Sequence, residues 1–429
     1  MMRSHYANEV KAGETVRLAG WVHELRDFGK VKFLVLRDRT GFVQVTFKSA
    51  STPPDALEAY SHLVKETSIV IEGKAEASKI ASLGLEVYPT SLEIVGEVQK
   101  KVPVDVTGKV HSDLDVRLDN RFIDLRRERT SAIFRVRSEA QRAFREKAME
   151  LGCQEINPPV VVAASTEGGS DLFKVDYFGE KAYLAQSPQL YKQLAVVGGM
   201  DKVFMTLPVF RAEKHNTTQH LNEVTQMDVE IGFADEEDGL DYLEKVFLHI
   251  LASVKKNCVS ELELLGSEVK DYDSIPRYTY TQVVDALAGT GYPMAWGEDF
   301  SKEAESRIPE AIGTDLFFIT RWPTKCRAFY SMPLKENPEV CKAYDLVYKG
   351  MEISSGAQRI HEPALLIKQL KAHGLKPSDF DFYIEAFRYG SIPHAGWSIG
   401  AERLTMQICG LDNIREASMF PRDRHRLHP

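Results

Sequence analysis

Residues 209–230, VFRAEKHNTTQHLNEVTQMDVE, constrain the fold more than any other stretch of the 429-residue chain. Two alternating runs flank a polar loop, the pattern of an antiparallel hairpin with one apolar face. Arg211, Glu213, Asp228 and Glu230 share one parity of the two strands, so an arginine and three carboxylates occupy a single face. A charged face of that kind belongs to a site, or to a set of surface ion pairs.

The remaining pattern divides in two. Residues 15–48 read as three short strands with turns at DFGK and DRTG, and alternation recurs in SIVIEGKAEA and GLEVYPTSLEIVGEV. About five strands in roughly 100 residues suggest a small Greek-key barrel of the OB type. Residues 104–130 are charged and less regular and read as a hinge between a barrel over 1–103 and a second domain over 131–429. From Ser131, Ile133, Val136, Ala140, Phe144, Ala148 and Leu151 keep helical spacing, and Gly152 ends the helix. A strand CQEINPPVVV follows, then a helix with Ser187 at its cap and Pro188 as its first residue. Strands are expected at 315–331 and 343–353, and helices at 239–257 and 362–373. Strands and helices segregate, so the second domain is expected to be α+β on a mainly antiparallel sheet.

Charge and composition narrow the function classes. The net charge of −8 argues against a surface coated in basic groups, but residues 1–50 hold nine Lys/Arg against five Asp/Glu, a local excess of +4. No run of 18 apolar residues exists, and MMRSHYANEV lacks the apolar core of a secretory signal. Five scattered cysteines without a CxxC pair fit a reducing cytoplasm and give no zinc ribbon.

Three stretches carry chemistry. An arginine above a polar loop, as in the hairpin, grips a phosphate with a fork that lysine cannot supply. In GWSIGAERL (396–404) the glycines admit a close ligand, and Arg403 opens an apolar helix. In AYDLVYKGMEISSG (343–356), Asp345 and Glu352 are hard oxygen donors suited to Mg2+ on phosphates. Taken singly, each reads more readily as a surface pair, a turn and helix start, or a solvated acid.

Together they resemble a known family. FRAE, a polar loop and HLNE resemble motif 2 of the class II aminoacyl-tRNA synthetases; GWSIGAERL resembles motif 3, and MELGCQEINPPVVV motif 1. The barrel is similar to the anticodon-binding domain of the aspartyl, asparaginyl and lysyl branch. Within it, STEGGSDLF, AQSPQLYKQ, EISSGAQRIH and NIREASMFPRDRHRL resemble the archaeal type of aspartyl enzyme.

That resemblance implies a reaction and roles. ATP would activate L-aspartate to the adenylate, and the acyl group would pass to the 3′ end of tRNA(Asp). Arg211 would neutralise the α-phosphate and Glu213 accept from the adenine amino group. Arg403 would hold the γ-phosphate, with Gln219, His220, Leu221, Gly400 and Glu402 completing the ATP side. Mg2+ would sit with Asp345, Glu352 and Ser355. Lys192 and Arg359 would pair with the substrate β-carboxylate, so asparagine would leave buried positive charge unpaired. Glu167, Ser187, Gln189 and Asp228 would position the α-amino group and those two cations. In the barrel, Phe33 would stack on the central anticodon base, Gln44 read it, and Arg26 contact phosphate. Motif 1, around Pro159, implies a homodimer.

Departures from the family pattern are informative. Gln219 stands where relatives carry a loop arginine, Val224 where some carry an adenine-stacking aromatic, and Ser398 where motif 3 has a glycine. His23, in GWVHE, replaces the tryptophan of enzymes strict for tRNA(Asp) and leans towards charging tRNA(Asn) as well; the loop EASKIASLG matches neither pattern. A tRNA-independent ligase resembling ammonia-dependent asparagine synthetase would share the ATP site, but would need no reader such as Phe33 and Gln44. A binding-only relative would be expected to lose Arg211, Glu352 or Arg403, and all three are present.

Overall fold

A computed structural model describes residues 2–79, 81, 84–163, 172–213 and 216–429. The chain forms two compact units, 1–124 and 125–429.

The first unit is a closed five-stranded barrel of β1 (Thr15–Asp27), β2 (Val31–Asp38), β3 (Gly41–Lys48), β4 (Ser68–Ala77) and β5 (Leu85–Gly96), in the order β1-β2-β3-β5-β4. A helix that the sequence reading did not anticipate, Pro54–Ser61, joins β3 to β4. Leu34, Leu36, Val43, Val45 and Phe47 fill the interior, so the alternate residues Phe33, Val35, Phe42 and Gln44 face outward. The register of β1 against β2 slips between Val22 and Glu24, which makes His23 a bulge residue. The slip changes the inward parity from Leu18 and Val22 to Leu25 and turns Glu24 and Arg26 to the outer face.

Residues 104–130, read as a hinge, contain two short helices, Leu114–Asp119 and Arg121–Asp124. Arg121 and Asp124 are fully buried and pair at 2.7 Å. The following helix starts at Glu128 and runs to Glu150.

The second unit is built on an eight-stranded sheet. Its central strands are β6 (Lys202–Phe210), β7 (Glu223–Gly232), β8 (Ala343–Tyr348), β9 (Met351–Gln358) and β10 (His394–Gly400), ordered β8-β9-β10-β7-β6, and all these neighbours are antiparallel. Parallel pairs occur towards the edges, at Gln154–Glu155 beside β6 and at Arg277–Thr279 beside Leu316–Thr320. Helices Glu128–Glu150 and Glu236–Asn257 cover one face, where Phe144 meets Phe204 and Trp397, and Phe247 meets Tyr348. Met227, Val229, Trp397 and Ile399 enter that core. Their neighbours Gln226, Asp228, Glu230 and Ser398 consequently face the other way.

Three expected strands are corrected. CQEINPPVVV is strand only at Gln154–Glu155 and Val161–Val162, with Pro158 and Pro159 unable to donate between them. The strand expected at 315–331 stops at Thr320, where Arg321 turns left-handed (φ 58°). The strand expected at 343–353 is a hairpin, β8 to β9, reversed by Lys349 and Gly350 at φ 50° and 74°. No helix among the described residues is long and apolar enough to cross a membrane.

Candidate active site

Two cavities open on the sheet face opposite the helices Glu128–Glu150 and Glu236–Asn257. Arg211, Gln226, Ser355 and Ser398 line both, so the cavities meet at those four side chains. The first also takes in Glu213, Gln219, His220, Leu221, Glu352, Gly400, Glu402 and Arg403. Asp228, Arg359, Ser187, Gln189 and Arg327 line the second. Residues separated by up to about two hundred positions are thus set around one junction by the adjacency of β7, β9 and β10.

In the first cavity, Arg211 is exposed just beyond β6, and its backbone is fixed by a 2.9 Å bond from its N–H to the Asn222 carbonyl. Arg403 donates to the Glu352 carbonyl at 3.1 Å and lies 3.5 Å from its carboxylate. His220 shares a 2.7 Å bond with Thr217, and burial together with the nearby Arg403 charge lowers its pKa. Glu402 has a structural task besides lining the cavity. It accepts from Arg137 at 2.7 Å and from the Thr225 N–H at 2.9 Å, joining the helix Glu128–Glu150 to β7.

Glu352 and Ser355 are three apart on β9, a spacing that would place them on opposite faces of a regular strand. The register slip between Leu346 and Val347 pairs Asp345 with Ser355 and Val347 with Glu352, so both β9 side chains come to the site face. Arg327, which the sequence reading missed, holds Asp345 with two bonds of 2.6 and 2.7 Å and also reaches the Ser355 hydroxyl. Its place in the irregular segment after Thr320 left no periodic signal.

The second cavity rests on a buried charge cluster. Arg359 makes a two-point contact with Glu230 at 2.9 and 3.2 Å, over the Tyr330 ring at 5.3 Å. Lys192 is fully buried; its ammonium donates to Asp228 at 2.7 Å and to the carbonyls of Trp397 and Val229 at 3.2 and 3.3 Å. Lys192 therefore sits behind Asp228 rather than on the cavity wall. Burial alone would raise the Glu230 pKa, but the charges of Arg359 and Lys192 outweigh it and hold the carboxyl below its usual value. Gly396 is needed here, because a Cβ at that position would lie 2.0 Å from the Glu230 carboxylate. Ser398 donates to Asp228 at 2.9 Å. Glu167 lies outside the described residues.

On the barrel, Arg26, Phe33, Glu24, Val35 and Gln44 occupy adjacent rows of the outer face. Phe33 is half-buried, edge-on to the exposed Phe28 at 6.1 Å, and Arg26 is paired with Glu24 at 2.8 Å. His23 stacks obliquely on Phe42 at 4.7 Å and shares a 3.0 Å bond with Arg37. Glu86 was also missed. It accepts from Thr46 and Ser78 at 2.5 Å, and these bonds, with the Lys48 charge, outweigh burial and keep its carboxyl below the usual range. Three residues of the EASKIASLG loop lie outside the described set.

Residues 113–424 match the family of "tRNA synthetases class II (D, K and N)", and residues 16–95 match "OB-fold nucleic acid binding domain". The chain is 45% identical to the aspartate–tRNA(Asp/Asn) ligase of Methanocaldococcus jannaschii, over 100% of this chain and 98% of that one. It is 44% identical to the aspartate–tRNA(Asp) ligase of Pyrococcus abyssi, over 100% of both. Among solved structures, asparaginyl-tRNA synthetase from Pyrococcus horikoshii with asparaginyl-adenylate superposes with a TM-score of 0.94 at 32% identity, covering 100% of both chains.

Proposed function

Because the chain belongs to the class II tRNA synthetases of the D, K and N group, we propose that its two cavities divide one reaction between them, ATP in the first and L-aspartate in the second. The enzyme is an aspartate–tRNA ligase. It joins aspartate to AMP and then to the 3′ end of tRNA. The observation that carries the division is the shared wall, where Arg211 stands at the boundary of the two cavities.

A carboxylate held in the second cavity attacks the α-phosphorus from that boundary. Negative charge grows on the α-phosphate as pyrophosphate leaves. Arg211 stabilises that charge from the shared wall, so no protein nucleophile is required. Arg403 holds the far end of the triphosphate, and Glu213 accepts from the adenine amino group. Glu352, Asp345 and Ser355 share one face and would supply oxygens to Mg2+, which when bound would neutralise the phosphates. Arg327, which holds Asp345 and Ser355 here, would have to give up those bonds to the ion. Arg359 recognises the substrate β-carboxylate, with Lys192 holding Asp228 and Glu230 in place beside it.

Phe33, Gln44 and Arg26 receive the anticodon loop on the outer barrel face, with Glu86 beside them. A tRNA-free ligase would have no use for that face. The relatives at 45% and 44% identity carry both tRNA specificities and do not separate them. His23 favours the broader one, because it replaces the tryptophan of the strict enzymes. The active species is a homodimer built through the motif 1 helix.

Purified protein with Mg-ATP and labelled aspartate, offered tRNA(Asp) and tRNA(Asn) in parallel, tests this reading. Charging of both is expected. Charging of tRNA(Asp) alone removes the broader specificity, and charging of neither, beside a working control synthetase, removes the ligase.

A further inference from the structure

A chain of buried amides leads from the aspartate cavity to a histidine that no step above uses. His394 is fully buried, its Nδ1 lies 2.8 Å from the Ile392 carbonyl and its Nε2 2.8 Å from the Gln193 side-chain nitrogen. A carbonyl can only accept, so Nδ1 carries the proton. Burial pushes the His394 pKa down to about 4, so the ring is neutral near pH 7 and Nε2 is a bare acceptor. Gln193 must then turn its NH2 towards His394. Its oxygen points the opposite way and accepts from Tyr383 at 2.9 Å and from the Gln189 NH2 at 3.0 Å. Gln189 lines the aspartate cavity, and with its nitrogen turned to Gln193 its carbonyl oxygen, at the other end of the amide, is directed away from Gln193 and can accept from a ligand.

We propose that His394 is a positioning residue: acting through Gln193, it orients Gln189 so that an acceptor, rather than a donor, faces the α-ammonium of the substrate amino acid. The proposal rests on assigning the second cavity to aspartate. Reversing any member reverses the next, because each amide has one acceptor end and one donor end. Without an acceptor at position 394, Gln193 loses the partner that orients its amide, and Gln189 is free to offer NH2 to a cation.

Two variants separate this role from packing. His394→Leu fills the volume but offers no acceptor, whereas His394→Gln restores an amide oxygen near the Nε2 position. Aspartate-dependent ATP–pyrophosphate exchange is expected to show KM for aspartate raised roughly tenfold or more in His394→Leu. KM for ATP should change little, and His394→Gln should recover most of the loss. Equal defects in both variants, or a rise in KM for ATP as large as that for aspartate, overturn the proposal. Nitrogen NMR of the intact protein with 15N-histidine provides a check that needs no variant to fold: Nδ1 protonated and Nε2 bare is expected, and the opposite tautomer overturns the relay. If the wild-type protein activates no aspartate while showing the expected tautomer, it is the cavity assignment that has failed, and the His394 role falls with it.

Discussion

Arg359 reaches the cavity proposed for aspartate only as one half of a buried pair with Glu230, so removing it should expose two separate roles. In Arg359→Met the Glu230 carboxylate stays buried with only the more distant Lys192, at 3.4 Å, to balance it. Urea unfolding is expected to show a loss of about 3–5 kcal/mol, the cost of an uncompensated buried charge. Adding Glu230→Gln should recover most of that stability. Aspartate activation should stay lost in both, because the guanidinium proposed to recognise the β-carboxylate is gone. If the double variant regains activity along with stability, Arg359 is a scaffold residue. Gln219 gives a complementary gain-of-function test. It lines the cavity proposed for ATP, at a position where the motif 2 pattern it resembles has an arginine, so Gln219→Arg should lower KM for ATP several-fold through one charge-assisted bond to phosphate. An unchanged KM would mean that His220 or Arg403 already meets the same oxygen.

At the scale of elements, the helix Glu236–Asn257 begins with a capping box at Asp235, and its first residue, Glu236, is buried beside Arg321 at 2.9 Å. Burial raises the Glu236 carboxyl to about 7, the Arg321 charge opposes the shift, and the neighbouring Glu237 and Asp235 add to it. Below the unfolded value of 4.5 both states are protonated and folding carries no penalty. Between that value and about 7 the unfolded chain ionises first, so stability falls as pH rises. Above about 7 the cost is constant. Glu236→Gln should therefore match wild type at pH 4 and exceed it at pH 8 by on the order of 3 kcal/mol, read from denaturation midpoints at the two pH values. A constant difference across the range would locate the effect in packing.

Elements also mark where the sequence was legible. The barrel strands, the motif 2 hairpin and the motif 3 helix all carry strong alternation or helical spacing, and the structure has them. The β8–β9 hairpin was read as one strand because its turn places a lysine, not asparagine or aspartate, in the left-handed position before Gly350. The bulge that aligns Glu352 with Ser355 leaves no mark on the residue pattern. Arg327 and Glu86 went unseen because each earns its place through partners outside its own run of residues, Asp345 for one and Thr46 for the other. Lys192 is legible in the sequence, but its burial behind Asp228 depends on the pairing of β7 with β10, which sets the Val229 and Trp397 carbonyls side by side.

On the scale of the whole molecule, the residues assigned to ATP and aspartate all come from 125–429, and Phe33, Gln44 and Arg26 from 1–124. Chemistry on the amino acid and reading of the tRNA should then respond to different substitutions. In the full-length chain, Phe33→Ala removes a half-buried ring from the outer barrel face and leaves the interior of Leu34, Leu36 and Val45 untouched. One base stacked on an aromatic contributes about 1–3 kcal/mol, so KM for tRNA should rise roughly ten- to hundredfold. Aspartate-dependent pyrophosphate exchange without tRNA should match wild type. The nine basic residues among the first fifty bear on the same measurement, since phosphate contacts weaken as salt rises. Arg26→Ala should flatten the salt dependence of KM for tRNA, whereas Phe33→Ala should shift it in parallel, because stacking releases no counterions. Loss of pyrophosphate exchange in Phe33→Ala would show that the barrel supports the aspartate chemistry and would end this division of labour.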